Sequence, residues 1–129
     1  MARYGISKKL NVGYDEAVEK AREALAKEGF GILTEIDVKA TLKKKLDKDF
    51  RRYIILGACN PPFAYKALTV ETEIGLLMPC NVIVYENDDG TATVSAIDPV
   101  VAMGMIDNSA LALIAKEVRE KMEKVINEI

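Results

Sequence analysis

Two continuous apolar runs constrain the fold of this chain more than any other feature of its sequence. The first covers residues 53–56 and the second covers residues 76–85. Neither run alternates apolar with polar residues as a half-exposed strand does, so we expect both to form buried strands. The turn Asn87-Asp88-Asp89-Gly90 predicts a hairpin that joins the second run to a strand at residues 91–97.

Helical periodicity marks the other elements. Residues 15–27 carry an apolar stripe that stops before Gly29, and the last helix begins at Asn108 or Ser109 as N-cap and continues through Ile126. In chain order we predict strand 3–10, helix 15–27, strand 30–36, helix 38–46, strand 53–58, a short helix after Pro61, strands 76–85 and 91–97, and the last helix. The order βαβαβαββα predicts an α+β fold, a single two-layer domain over residues 1–129 with helices packed on one mostly antiparallel or mixed sheet.

Composition narrows the classes of partner. The 129 residues include 18 basic and 20 acidic side chains, a formal charge of −2, which gives no electrostatic reason to expect nucleic acid or an anionic membrane surface. We also expect no membrane-spanning segment, and residues 1–5 lack the apolar core of a secretory signal. The chain is therefore predicted to be cytoplasmic, which suits two cysteines in a reducing compartment.

Both cysteines are followed by asparagine, and each pair has a proline nearby. Cys59 lies at a predicted strand-to-helix turn, where the positive end of the helix dipole favours a thiolate and can bind an anion. The alternative is a small buried side chain at a tight turn. Cys80 follows Pro79 at a predicted strand start or sheet edge. If the two strands are neighbours, the sulfurs can face one another as a dithiol, a redox-sensitive disulfide or half of a metal site.

Two asparagines and two carboxylates complete the candidate site. Asn60 and Asn81 can orient a ligand beside the thiols, and their alternatives are an N-cap and a strand-edge hydrogen bond. Glu35 and Asp37 are predicted on the strand face opposite Phe30, Ile32, Thr34 and Ile36, where they can bind a cation or handle a proton. Their alternatives are an ion pair with a lysine for Glu35 and an N-cap of the helix at residue 38 for Asp37.

The absence of histidine excludes several sites. A structural zinc takes four ligands of cysteine or histidine type, so a zinc site within one chain is not expected, and we predict no metal. The alternative is a symmetric dimer that pools four thiolates, or carboxylates that join the thiols. Histidine-ligated haem and hydrolases that use a histidine base are excluded as well. Met78, Met103 and Met105 have no regular spacing and are interpreted as core-filling residues.

Three motifs carry a family resemblance. They are Thr-Glu-Ile-Asp-Val at residues 34–38, Ile-Leu-Gly-Ala-Cys-Asn-Pro at residues 55–61, and Gly-Leu-Leu-Met-Pro-Cys-Asn-Val at residues 75–82. In this order and at this spacing they resemble the domain of unknown function 302 family, and the likeness spans roughly the whole chain. The resemblance implies a small α+β domain, often a dimer, with no agreed activity.

Three functional hypotheses follow. The preferred one is a small-molecule or sulfur-species binding domain whose pocket is lined by Glu35, Asp37, Cys59, Asn60, Cys80 and Asn81. The second is an enzyme that uses Cys59 as nucleophile or redox centre with Glu35 or Asp37 as proton carrier. The third is an assembly module that forms a homodimer. A homodimer is expected under all three, because a chain that is 50% hydrophobic leaves apolar surface for a partner. The cofactor and the ligand stay unknown at this stage.

Overall fold

The computed structural model describes residues 3–129; Met1 and Ala2, part of the segment expected to lack a signal sequence, lie outside the described residues. One sheet is formed by β1 (Gly5–Leu10), β2 (Gly31–Asp37), β3 (Tyr53–Cys59), β4 (Cys80–Glu86) and β5 (Ala92–Ile97). The helices are α1 (Tyr14–Lys27), α2 (Val38–Leu46), α3 (Pro61–Val70), α4 (Pro99–Met103) and α5 (Ser109–Glu128), with a 3-10 helix at Thr72–Leu77.

The strand order is β1-β5-β4-β3-β2, and every neighbouring pair is antiparallel. This confirms the predicted α+β fold. The two apolar runs of the sequence supply β3 and β4, which are interior strands with a neighbour on each side. Helices cover only one face of these strands, so Ile55 and Ile83 on the other face are half-buried rather than buried.

The predicted element order is right except at two places. A short helix that the predicted order lacks follows β5: Asp98 accepts a hydrogen bond from the backbone nitrogen of Val100 at 2.9 Å and caps α4. The second apolar run was expected to be strand from residue 76, but Leu77 ends the 3-10 helix and β4 begins at Cys80. Pro79 explains this later start, because proline has no N–H to donate to the strand ladder.

Strand β2 contains an irregularity that the alternation of its sequence does not reveal. The register shifts between Ile32 and Thr34, so Ile32 pairs with Ala58 and packs against the core, whereas Ile36 pairs with Ile55 and is 48% exposed. The prediction that Ile32 and Ile36 share a face is therefore wrong. One extra residue in a strand moves every later side chain to the other face.

The two faces of the sheet have different surroundings. Helices α1 and α5 pack on one face and bury a core that includes Leu56, Val82, Val84 and Met122. A smaller core, formed by Ala67, Ile74 and Leu111, lies where α3, the 3-10 helix and α5 meet. Within residues 3–129 no helix has both the length and the apolar character needed to cross a bilayer.

Candidate functional site

The two cysteines come together because β3 and β4 are neighbours. Cys80 pairs with Ala58, the residue before Cys59. Strand alternation nevertheless turns the Cys59 side chain to the face opposite that of Ala58 and Cys80, and of the two cysteines only Cys80 packs against the larger core. Both thiols are free and half-buried. The strands are neighbours, as the sequence analysis required, but their register does not turn the two sulfurs toward one another.

Cys59 and Cys80 are both among the residues that line one small cavity of about 40 Å³. Apolar side chains make up most of its wall, among them Phe63, Met78, Met103 and Ile114, and none of the residues from 3–129 that line it is charged. A single water molecule occupies about 30 Å³ in the liquid, so the space holds one or two heavy atoms.

The cavity lies at the junction of the two hydrophobic cores. Cys80 and Phe63 pack against the larger core, whereas Met78 and Met103 pack against the smaller one. Ile114 of α5 contacts both. Two cores that are each packed around different helices leave this space between them.

The two thiols differ in their surroundings. Cys59 is the last residue of β3 and stands two residues before Pro61, the first residue of α3, as the strand-to-helix prediction requires. Cys80 is more deeply placed. Burial, with a smaller contribution from nearby Cys59, raises the pKa of the Cys80 thiol to about 11. Cys80 is therefore a protonated thiol at neutral pH.

Asn60 has a different role from the capping role considered for it. It occupies the N-cap position of α3, but its side chain makes no capping hydrogen bond. Instead its Nδ2 donates to the carbonyl oxygen of Glu28 at 3.2 Å, and the residue is only 8% exposed. The neighbouring Gly29 has φ of +83°, which glycine adopts without strain. Asn60 thus ties the turn that carries Cys59 to the end of α1.

Asn81 faces the other side of the sheet. It follows Cys80 in β4, so strand alternation turns its side chain away from the cavity, and it pairs with Gly57. There it lines a wider groove of about 620 Å³ on the face opposite α1 and α5. The asparagines of the two Cys-Asn motifs therefore lie at different sites, Asn60 at the cavity and Asn81 at the groove.

Hydroxyl and phenol groups line this open-face groove. The rings of Tyr53 and Tyr85 stack with their centroids 5.6 Å apart, and the hydroxyls of Ser7 and Ser95 are hydrogen-bonded at 2.6 Å. Burial, then Tyr85 and Tyr4, raise the pKa of Tyr53. The sequence analysis missed this groove; alternating Ser, Thr and Tyr in β4 and β5 was the signal that pointed to it.

The two carboxylates of the predicted pocket lie elsewhere. Glu35 forms an ion pair with Arg22 of α1 rather than with a lysine, and Asp37 caps α2 by accepting from the backbone nitrogen of Ala40 at 2.9 Å. Glu35 pairs with Leu56, whereas Cys59 pairs with Gly31, four residues away along β2. Four residues of strand span about 13 Å. Glu35 and Asp37 are therefore too distant to share a pocket with the thiols.

The structure thus divides the six predicted site residues among three places. Cys59, Asn60 and Cys80 line the cavity, Asn81 lines the groove, and the two carboxylates sit near the other end of β2. The sequence analysis also missed Met78 and Met103 as cavity residues, because their irregular spacing hides their proximity.

A five-stranded antiparallel sheet with two long helices on one face and a thiol-lined cavity at its end defines a small α+β domain. The chain belongs to the family described as domain of unknown function DUF302, whose family model matches residues 6–129. This confirms the resemblance carried by the three motifs.

A solved structure provides a close likeness in fold. The crystal structure of an uncharacterized conserved DUF302 protein from Bacillus stearothermophilus is 29% identical to this chain and superposes with a TM-score of 0.90, covering 98% of both chains. No curated protein matches the sequence significantly. The fold and the family are therefore established by similarity.

Proposed function

We propose that this chain is a binding domain whose ligand enters the cavity between Cys59 and Cys80 and is small and soft, such as a single sulfur atom carried by an inorganic polysulfide. The observation that supports it is one apolar cavity whose lining residues include both free cysteines. Sulfur is polarizable and weakly hydrated, so an apolar wall with thiols suits it better than a hard anion.

The size of the cavity supports a ligand of one or two heavy atoms. A space of about 40 Å³ is far below the roughly 300–1,000 Å³ of sites for drug-sized ligands. A persulfide on Cys59 adds one sulfur atom to the wall. Cys59 attacks an S–S bond of the polysulfide as a thiolate, gains the terminal sulfur, and releases a polysulfide shorter by one sulfur.

A binding role is favoured over the cysteine-dependent enzyme. The enzyme hypothesis placed a proton-carrying carboxylate within hydrogen-bond reach of the sulfur. Glu35 is engaged by Arg22 and Asp37 by the first turn of α2, and neither lines the cavity. A cytoplasmic location is part of the proposal, because a reducing compartment keeps two neighbouring thiols free.

Intact mass spectrometry tests this proposal. Native protein is treated with inorganic polysulfide and compared with Cys59→Ser and Cys80→Ser variants. We expect one added sulfur on the wild type, its loss in Cys59→Ser, and slower alkylation of Cys59 in the treated protein. If both thiols resist polysulfide and small alkylating reagents until the protein unfolds, the proposal is wrong.

The open face of the sheet favours a second proposal, a homodimer. Ile36, Ile55 and Ile83 lie in one row across β2, β3 and β4, on the face opposite the helices. Ile36 is 48% exposed. A two-fold axis through this face covers the row with its own copy, because an isologous interface uses the same patch twice.

Light scattering after size exclusion tests the homodimer. We expect a dimer for the wild type and a monomer for Ile36→Lys, which places a charge at the centre of the proposed interface. Leu113→Lys is the matched control, because Leu113 is an exposed apolar residue of α5, at 66% exposure, on the helical side. A monomeric wild type, or equal effects of the two variants, would contradict this interface.

A further inference from the structure

The open-face groove owes its shape to the sizes of the side chains that line it. Strands β1 and β5 contribute the short residues Gly5, Ser7 and Ser95, whereas β3 and β4 contribute the tall rings of Tyr53 and Tyr85. A Cβ added at Gly5 would lie 2.8 Å from Ser95 Oγ, so even a methyl group would fill part of this floor. The volume of about 620 Å³ falls within the roughly 300–1,000 Å³ of small-molecule sites.

A ladder of aromatic rings ends at the edge of this groove. The Tyr53 ring has the Phe50 ring on one side, with 6.2 Å between centroids, and the nearly parallel Tyr85 ring on the other. The residue that pairs with Tyr85 on the next strand is Thr93, which has no ring, so the ladder stops at Tyr85. Aromatic rings prefer offset-stacked neighbours, and a planar ring that enters the groove beside Tyr85 extends the ladder by one member.

The polar groups of the groove include both donors and acceptors. The hydroxyls of Ser7 and Ser95 share one hydrogen bond, so the pair keeps one donor hydrogen and several lone pairs for a ligand. Asn81 is exposed, and its amide offers two N–H groups and one oxygen. The edge of a nucleobase also carries donors and acceptors side by side, which makes it complementary to such a set.

The charges of the groove favour a neutral ligand. Among the described residues that line it, Lys8 and Lys9 are the charged ones. Lys9 forms an ion pair with Asp89 at 2.8 Å, and Lys8 Nζ donates to the carbonyl oxygen of Ile129 at 2.9 Å. An anion would have to compete with these partners for each ammonium group, whereas a neutral ligand leaves both contacts in place.

We propose that the open-face groove binds a neutral nucleoside, whose base stacks on the Tyr85 ring and whose polar edge meets Asn81 and the two serine hydroxyls. Aromatic side chains on a sheet are a common platform for single bases. A nucleoside has no phosphate, so the acidic balance of the chain, which argues against nucleic acid, does not oppose it. The site lies on the face opposite the cavity and goes beyond the function proposed for the thiols.

A fluorescence titration tests the site. The probe is 2-aminopurine riboside, whose emission is quenched when its base stacks, and adenosine is the competitor. We expect saturable quenching with one site per chain, and displacement of the probe by adenosine. Tyr85→Ala is expected to weaken binding about tenfold or more, whereas Tyr85→Phe keeps the ring and is expected to bind as the wild type does.

Tyr65→Ala is the matched control, because it removes a ring from α3 that is 74% exposed and does not line the groove. Its affinity is expected to equal that of the wild type. Ser7→Leu is the second test of the site, because it fills the floor without removing a ring, and we expect it to abolish quenching. Circular dichroism of every variant establishes that a lost affinity does not reflect a lost fold.

Four results would overturn the proposal. They are the absence of quenching by the wild type and by Ile36→Lys, equal affinities of Tyr85→Ala and Tyr65→Ala, full affinity of a folded Ser7→Leu, and displacement of the probe by ribose as effectively as by adenosine. Tenfold tighter binding of adenosine 5′-monophosphate than of adenosine would overturn the neutral ligand. Ile36→Lys is included because the groove and the proposed dimer interface share Ile83, and the expected monomer leaves the groove uncovered.

The groove and the thiols are tested separately. Cys59→Ser and Cys80→Ser are expected to bind the probe as the wild type does, because Cys59 and Cys80 do not line the groove. Quenching without uptake of sulfur from polysulfide would leave the nucleoside site and overturn the function proposed for the cavity. Uptake of sulfur without quenching would overturn the nucleoside site alone.

Discussion

The cavity and the groove lie on opposite faces of the same sheet, and they differ in every property that matters for binding. The cavity holds about 40 Å³ between apolar and sulfur-bearing side chains, whereas the groove holds about 620 Å³ between hydroxyls and phenols. Cys80 and Asn81 are neighbours in β4, yet one faces the cavity and the other the groove. Adjacent residues of a strand point to opposite faces of the sheet, so a two-residue motif in a strand does not by itself form one site.

The difference between the faces also follows from their packing. The face with α1 and α5 is buried, which raises the pKa of a thiol and excludes hydrated ligands. The other face keeps polar groups near solvent, where hydroxyls retain their hydrogen-bond capacity. One sheet therefore has a dry face toward the helices and an open face near solvent.

Truncating neighbouring residues of β3 gives the largest expected contrast. Leu56 is completely buried on the helical face, and Ile55 is half-buried on the open face. We expect Leu56→Ala to lower the free energy of unfolding by about 3 kcal/mol, and Ile55→Ala by about 1 kcal/mol. Urea unfolding at low protein concentration measures both. Equal losses would mean that the open face is as well covered as the helical one.

The buried thiol predicts a pH dependence of stability on the cavity side. Because the pKa of Cys80 is raised from 9.0 to about 11, the native state binds this proton more tightly than the unfolded state does. The contribution is complete below about pH 9 and is lost as the pH rises to about 11, a loss of about 2–3 kcal/mol.

Reduced wild type and Cys80→Ala, unfolded in urea across this pH range, isolate the contribution of the thiol. Lysine and tyrosine titrate in the same range, so only the difference between the two proteins is informative. We expect that difference to shrink with rising pH. Parallel pH profiles would indicate that Cys80 is solvated in the native state.

On the open face, substitution of Gly57 tests how closely β2 and the segment before β4 approach β3. A Cβ added at Gly57 would overlap Thr34 Oγ1 and lie 2.8 Å from Pro79 Cγ. We expect Gly57→Ala to cost about 2 kcal/mol of stability through overpacking. Gly31→Ala is the control, because its nearest contact is the Cys59 carbonyl oxygen at 3.9 Å. Thermal unfolding compares the two variants, and Thr34→Ala in the Gly57→Ala background is expected to recover part of the loss.

These residues show what the sequence can and cannot predict. Apolar runs and helical stripes predict the α+β fold and the interior strands, because burial and periodicity are local properties. The shift at Leu33 that separates Ile32 from Ile36 is not local, because it depends on pairing with β3. The same holds for the cavity: Cys59 and Cys80 are recognisable as cysteines, but Met78 and Met103 join them only through the packing of α3, α4 and α5.

The two asparagines of the Cys-Asn motifs are expected to show the smallest difference in stability between the cavity and the groove. Asn60 is 8% exposed, and its Nδ2 donates to the Glu28 carbonyl oxygen at 3.2 Å. Removing this donor in Asn60→Ala leaves a carbonyl without its partner, and we expect a loss of about 1 kcal/mol. Asn81 is exposed at the groove, so Asn81→Ala is expected to be nearly neutral.

A loss of stability does not show whether Asn60 holds the turn in place or is only an ordinary buried side chain. The rate of Cys59 alkylation is therefore the second measurement on the two asparagine variants. Asn60 holds the turn between Cys59 and α3, and its loss is expected to loosen that turn and to change the alkylation rate of Cys59 in the folded protein. Asn81→Ala is expected to leave the rate unchanged, because Asn81 faces the groove. Equal effects of the two substitutions on stability and on alkylation would refute the separation of the two motifs by the sheet.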